Sequence, residues 1–124
     1  MSDATRLEGR IAIVTGGAGG IGLAIGRLLA ARGAGVVLTD LDPAVEARAG
    51  EAGGGAWGVV HDVTDLEATR AVVARVLERH GRLDVLVNNA GLDRPALFAD
   101  TGPDIWRTLV EVNYTGVLNG CHAA

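Results

Sequence analysis

Lysine is absent from this chain, and all eleven of its cationic residues are arginine. Serine occurs once, at Ser2, and tyrosine once, at Tyr114. Chemistry that needs a lysine, or a serine beyond the extreme N-terminus, is therefore excluded before any motif is read. The single cysteine, Cys121, allows no internal disulfide and fits a reducing cytoplasm. No stretch is long and apolar enough to span a bilayer, and the opening "MSDATRLEGR" lacks the apolar run of a secretion signal. A net charge of −4 offers no basic field to nucleic acid or to an anionic membrane. His61, His80 and His122 do not stand at metal-ligand spacing with Cys121 or with acids, so no metal is expected.

What remains is a globular composition: 48% hydrophobic residues, and 19 glycines without a collagen-like period, in 124 residues. That length suits one domain, residues 1–124, around one core. Short β-branched runs alternate with amphipathic ones. "IAIVT" (11–15), "GVVLTD" (35–40), "AWGVVHDV" (from 56) and "LDVLVN" (83–88) read as buried strands. Between the first two, Ile21, Ala24, Ile25, Leu28 and Leu29 mark one apolar helix face, which Gly33 ends.

"LDPAVEARA" places Asp42 as an N-cap and Pro43 at the first helical position. Thr64 and Glu67 stand in capping-box spacing before a helix to His80, with Leu66, Val72, Val73, Val76 and Leu77 inward and Gly81 as its stop. His80 suits the C-terminal end of that helix as a favourable charge. A last helix opens at Pro103, with Ile105, Leu109 and Val112 on one face. Trp57 and Trp106 read as core or interface aromatics, and Cys121 as a packing residue. This βαβαβαβα order implies a doubly wound, Rossmann-type parallel sheet in three α/β/α layers.

The turn "TGGAGGIG" joins the first strand to the first helix. A backbone without Cβ atoms can approach a ligand closely, and free helix amides attract an anion. A charge so placed is stabilised by about 0.3–1 kcal/mol. The glycines fit G-x-G-x-x-G through Gly17, Gly19 and Gly22, and equally G-x-x-x-G-x-G through Gly16, Gly20 and Gly22. The acid ending the second strand, Asp40, is the confirming context for a dinucleotide site. Its carboxylate can accept both hydroxyls of an adenosine ribose and would repel a 2′-phosphate. No arginine stands beside the glycines or directly after Asp40 in sequence, so NAD is expected over NADP.

"TGGAGGIG", "HDVTD", "LVNNAG" and "VNYTG", in this order and spacing, resemble the short-chain dehydrogenase/reductase family along the whole chain. The resemblance resolves the loop as Thr15, Gly16, Gly20 and Gly22, with Ile21 between the last two also a cofactor contact. It implies that Asp62 and Val63 hold the adenine, through the carboxylate and the Val63 amide. It implies that Asn89, Ala90 and Gly91 contact the cofactor at the nicotinamide ribose. Asn113 matches the Asn of the family's catalytic tetrad, where it interrupts a helix and its carbonyl holds a water linked to the catalytic lysine. The helix that carries Trp106 resembles one used for subunit contact, so a homo-oligomer is expected of the full-length form.

The tetrad's other members are missing. A phenol ordinarily titrates near pH 10 and needs a neighbouring cation to act as acid or base at neutral pH. Tyr114 has Leu118 four residues on, where the family has lysine, and Ser2 is misplaced. "LDVLVN" would also be an apolar edge guarded only by Asp84, and no stop signal follows "GVLNGCHAA". The expectation is the cofactor-binding half of a longer cytoplasmic, NAD-dependent oxidoreductase. Its reaction would be hydride transfer between NAD(H) and a secondary alcohol or ketone, with this chain inactive by itself. A non-catalytic NAD(H)-binding module and a subunit-contact remnant are the alternatives.

Overall fold

A computed structural model describes residues 5–124, so Ser2 lies outside the described residues. Strands β1 (Ile11–Thr15) and β2 (Gly35–Asp40) occupy the residues that their β-branched runs predict. β3 (Trp57–Val60) and β4 (Val85–Val87) are shorter than their apolar runs. All pair in parallel, in the order β3-β2-β1-β4. β1 and β2 are interior, so Ala12, Val14, Val37 and Leu38 are wholly buried. The edge strand β4 is only half-buried. The strand order reverses between β1 and β4, which opens a crevice beyond their C-terminal ends.

Helices cover both faces. α1 (Gly20–Ala31) and α2 (Val45–Arg48), the latter running into a 3₁₀ turn at Ala49–Ala52, lie over Val14, Val36 and Leu38. α3 (Leu66–His80) packs Val72, Val73 and Val76 against Ile13 and Val37 on the other face. α4 (Pro103–Val110) and α5 (Gly116–Ala123) are joined by a π-helical segment, Glu111–Thr115. No helix among the described residues is long and apolar enough to cross a membrane.

Several expectations need correction. The predicted apolar face of α1 is only partly its buried face: Ile25 and Leu29 pack against the core, but Ile21 is 74% and Leu28 57% exposed, while Gly22, Leu23 and Gly26 are buried. The helix settles on β2 through its glycines. A Cβ at Gly26 would lie 2.7 Å from Leu38 Cδ2, so close approach at the glycines, together with the packing of Leu23, Ile25 and Leu29, selects the face. α2 starts at Val45 rather than Pro43. Asp42 still organises the turn, since its Oδ1 accepts from the Ala44 amide at 2.9 Å.

Asp65, not Thr64, caps α3. Its Oδ1 accepts from the Ala68 amide at 3.0 Å, while the Thr64 hydroxyl donates instead to Asp62 Oδ1 at 2.7 Å. Gly81 does end that helix, at φ 75°, and Leu77 faces solvent. His80 is no isolated terminal charge: its Nε2 accepts the Trp57 indole N–H at 2.9 Å. Arg79 and Arg75 lie 4.5 and 5.0 Å from the Trp57 ring centroid, so that half-buried indole packs against the core and is also a platform for cations.

Asp84 does not guard the outer edge of β4. Arg82 donates to both its oxygens, at 2.8 and 2.6 Å, and the Ile11 amide donates to Oδ2 at 2.8 Å. The Arg82 bonds, then the Ile11 amide, hold its carboxyl well below the usual carboxylate range. It clasps the start of β4 to β1. Cys121 is exposed rather than packed, its Sγ facing Asn88 Nδ2 at 3.5 Å. Trp106, 40% exposed, stacks on Phe98 with ring centroids 5.1 Å apart.

Candidate functional site

The crevice is built from a latch upward. Thr15, the last residue of β1, is 3% exposed. Its hydroxyl donates to Val87 O at 3.4 Å and accepts the Asn89 and Ala90 amides at 3.1 and 3.0 Å. In return the Asn89 side-chain amide donates to Thr15 O and Gly16 O, at 3.1 and 3.2 Å. A residue without a hydroxyl at position 15 would strand the Ala90 amide and leave the Asn89 amide only its bond to Val87 O at 3.0 Å. This bonding explains why "NNAG" and the glycine turn occur together: each satisfies the other's backbone.

The glycine loop closes on that latch. A Cβ on Gly16 would lie 2.9 Å from Ala90 Cα, and one on Gly22 only 2.2 Å from Gly16 O. Gly20 differs. Its φ is +55°, and a Cβ there would meet no protein atom within 4 Å, so this glycine borders open space. The first amides of any α-helix lack an intrahelical acceptor. No side chain caps α1, and its first turn carries no acid. Gly20, Ile21 and Gly22 therefore offer amides to an anion, and the residues present fit a pyrophosphate.

Asp40 ends β2 across the loop. Its Oδ2 accepts the Ala18 amide at 3.0 Å and its Oδ1 the Asp42 amide at 3.0 Å. A carboxylate has about four acceptor positions, so about two remain for ribose hydroxyls. No arginine neighbours the loop glycines in sequence, but one does in three dimensions. Arg48, the last residue of α2, donates from Nη1 to Ala18 O at 2.9 Å. Thirty positions of sequence separate the pair, and only the return of α2 along the sheet brings them together.

One cleft of about 430 Å³ gathers most of the anticipated residues. Gly16 and Asp40 form one side of it, Asp62 and Val63 another, and Asn89, Ala90 and Gly91 the floor near β4. Thr15 lies behind this wall as the latch, and Gly20, Ile21 and Gly22 continue from it as the start of α1. The exposed Asp62 accepts the Thr64 hydroxyl and amide at 2.7 and 3.0 Å. These two bonds, the hydroxyl's first, lower its pKa below the ordinary carboxylate value.

Asn113 sits on the π-helical segment, so the helix does break where the resemblance places the interruption. Its side chain closes a two-way clamp on the loop after β4. Oδ1 accepts the Leu92 amide at 2.8 Å, and Nδ2 donates to Leu92 O at 2.7 Å. Leu92, Thr108 and Val112 complete the cleft wall there and were not anticipated from sequence. The four-residue spacing of Thr108 on α4 and Val112 on the π-helical segment was the available signal for those two.

His61 was also passed over, although it lines the cleft and is only 4% exposed. Thr69 donates its hydroxyl hydrogen to Asp65 O at 2.9 Å, so it accepts from His61 Nε2–H at 2.8 Å. Nδ1 then accepts from the Thr39 hydroxyl at 3.0 Å. The ring is neutral, and burial pushes its pKa below 6.5 against the opposing pull of Asp62 and Asp65. Among the described residues, no three His, Cys, Asp or Glu side chains converge as metal ligands would.

Comparison with known proteins agrees with this architecture. Residues 10–124 match the family described as short chain dehydrogenase. The chain is 40% identical over 118 residues to the 3-oxoacyl-(acyl-carrier-protein) reductase FabG of Thermotoga maritima, covering 92% of this chain and 48% of that protein. It is 45% identical over 119 residues to the cis-4-hydroxycyclohexanecarboxylate dehydrogenase of Sinomonas cyclohexanicum, again covering 92% and 48%. A crystal structure of a short-chain dehydrogenase/reductase, a glucose/ribitol dehydrogenase from Brucella melitensis, superposes with a TM-score of 0.91 at 34% identity. That match covers 96% of this chain and 52% of the other. The chain thus spans about half the length of these relatives. A glycine loop latched to "NNAG", an acid at the end of β2 and a match over nearly every residue lead to one conclusion: the chain belongs to the short-chain dehydrogenase family.

Proposed function

We propose that this chain is the cofactor-binding part of an NAD-dependent oxidoreductase acting on a secondary alcohol or ketone. When bound, the nicotinamide supplies the hydride acceptor or donor. The chain's own residues bind and orient the dinucleotide. The amides of Gly20, Ile21 and Gly22 hold the pyrophosphate, and Asp40 takes the ribose hydroxyls. Asp62 and the Val63 amide bracket the adenine, while Asn89 to Gly91 form the floor at the nicotinamide end. The serine, tyrosine and lysine of the reaction come from outside these 124 residues, and Asn113 contributes by holding the loop at Leu92.

The carrying observation is that Gly16, Asp40, Asp62, Val63 and Asn89 to Gly91, drawn from four separate stretches of the chain, line one cleft. Self-association belongs to the same reading. Trp106, Val110, Tyr114 and Leu118, four apart, form an exposed apolar stripe, on the helix whose counterpart the family resemblance gives to subunit contact. Fluorescence titration of the pure chain with NADH tests the proposal. Saturable binding is expected, and Asp40→Ala should weaken NADH by roughly tenfold, the worth of one charge-assisted hydrogen bond. A flat titration of the wild-type chain would sink the cofactor assignment.

A further inference from the structure

Arg48 is an exposed guanidinium for which the described residues supply no carboxylate partner. It makes no ion pair, although five of the chain's other arginines do. Its one hydrogen bond, from Nη1 to Ala18 O at 2.9 Å, fixes it over the glycine turn. A Cβ on the next residue, Gly19, would lie 3.3 Å from the same nitrogen. Ala18 is thus held at both ends, its amide by Asp40 Oδ2 at 3.0 Å and its carbonyl by Arg48. A negative and a positive group therefore meet on a single residue of the loop, and the negative one, Asp40, lines the cleft. A guanidinium has five N–H donors in a planar fork suited to phosphate, and this one spends a single donor on the protein.

On the reading that the cleft binds a nicotinamide dinucleotide, we infer that Arg48 is a specificity-determining residue whose free donors reach a 2′-phosphate on the adenosine ribose. Asp40 and Arg48 then act in opposition. The carboxylate accepts the ribose hydroxyls and repels a phosphate in their place, while the guanidinium attracts that phosphate. The site takes NADH first and NADPH second, and Asp40 alone keeps the second weak. Without Asp40 the same loop presents only the cation, and the preference inverts.

Dissociation constants for NADH and NADPH, measured by fluorescence on the wild-type chain and on R48A, R48Q, D40N and D40N/R48A, test this. Adenosine 2′-phosphate and adenosine 5′-phosphate serve as competitors that locate any effect on the ribose phosphate. Glutamine keeps a donor for Ala18 O without the charge, so R48Q separates anion binding from bracing of the loop. Both Arg48 variants are expected to weaken NADPH about tenfold more than NADH, the scale of one charged hydrogen bond. They should also cost the chain adenosine 2′-phosphate binding selectively. D40N should favour NADPH, and D40N/R48A should lose that gain. If R48A and R48Q weaken both dinucleotides equally, Arg48 only braces the loop and the inference is overturned. It is also overturned if D40N/R48A keeps the NADPH gain. A wild-type chain that binds neither dinucleotide removes the cofactor reading itself, whereas NADH binding with an unmoved ratio removes this inference alone.

Discussion

His61 shows what one residue can contribute to a site without touching a ligand. It bridges β2, through Thr39, to α3, through Thr69, directly before the cleft residues Asp62 and Val63. The folded ring is neutral, with its pKa lowered by burial below 6.5. In the unfolded chain the ring takes up a proton as pH falls through 6.5, which the native ring resists, so the unfolded state binds more protons there. The contribution of His61 is therefore complete above pH 6.5 and is lost below it. One proton limits the slope to about 1.4 kcal/mol per pH unit. Asp62 and Asp84, with pKa values lowered from 3.8, act in a separate window: their contribution is present above 3.8 and lost below it. Thermal melts from about pH 8 to about pH 5 should show a falling Tm in the wild-type chain and a flatter profile in His61→Gln. A profile identical in the two would mean that the histidine does not stay neutral.

Among the elements, α1 tests how closely a helix must approach its sheet. Gly22→Ala would put a methyl 2.2 Å from Gly16 O, a backbone atom of the loop itself, and no rotamer relieves that clash. Overpacking of this kind costs about 1–3 kcal/mol. Gly50→Ala, where a Cβ meets nothing within 4 Å, is the control and should leave Tm unchanged or slightly raised. Comparable melts for the two variants would show that α1 can move away from β1 at no cost. The same helix shows where the sequence was readable and where it was not. β1 and β2 were legible to the residue, because interior parallel strands need unbroken β-branched runs. The ends of α1 and α3 were legible through Gly33 and Gly81. The buried face of α1 was legible only at Ile25 and Leu29, because apolar periodicity weighs side chains and Gly22 and Gly26 approach the sheet by lacking them. The cap at Asp65 was missed because Asp62 had already engaged the Thr64 hydroxyl. At the site, Thr15, Asp40 and "NNAG" were visible as motifs. His61 and Arg48 were not, since each depends on a neighbour that only the folded chain brings near.

At the scale of the whole chain, the proposed reading sets a cofactor cleft beside no serine, tyrosine and lysine set among the described residues. Tyr114, the only phenol, is 63% exposed on the π-helical segment, and Leu118 four residues on is exposed as well. The sequence contains no lysine to place a cation near it. General acid–base assistance typically contributes about 10²–10⁴-fold in rate, and positioning of both reactants contributes more. On the proposed reading these residues supply only the dinucleotide's share of the second. Binding a dinucleotide without stabilising a transition state lowers no barrier. The pure chain should therefore bind NADH and leave it unconsumed when mixed with cyclic or acyclic ketones, as followed by the nicotinamide absorbance. Adding a Tyr114→Phe variant makes the test sharper, because a chain with no catalytic phenol loses nothing by that change. Turnover in the wild-type chain that disappears in the variant would place an acid–base group at Tyr114 and refute the division of labour proposed for these residues.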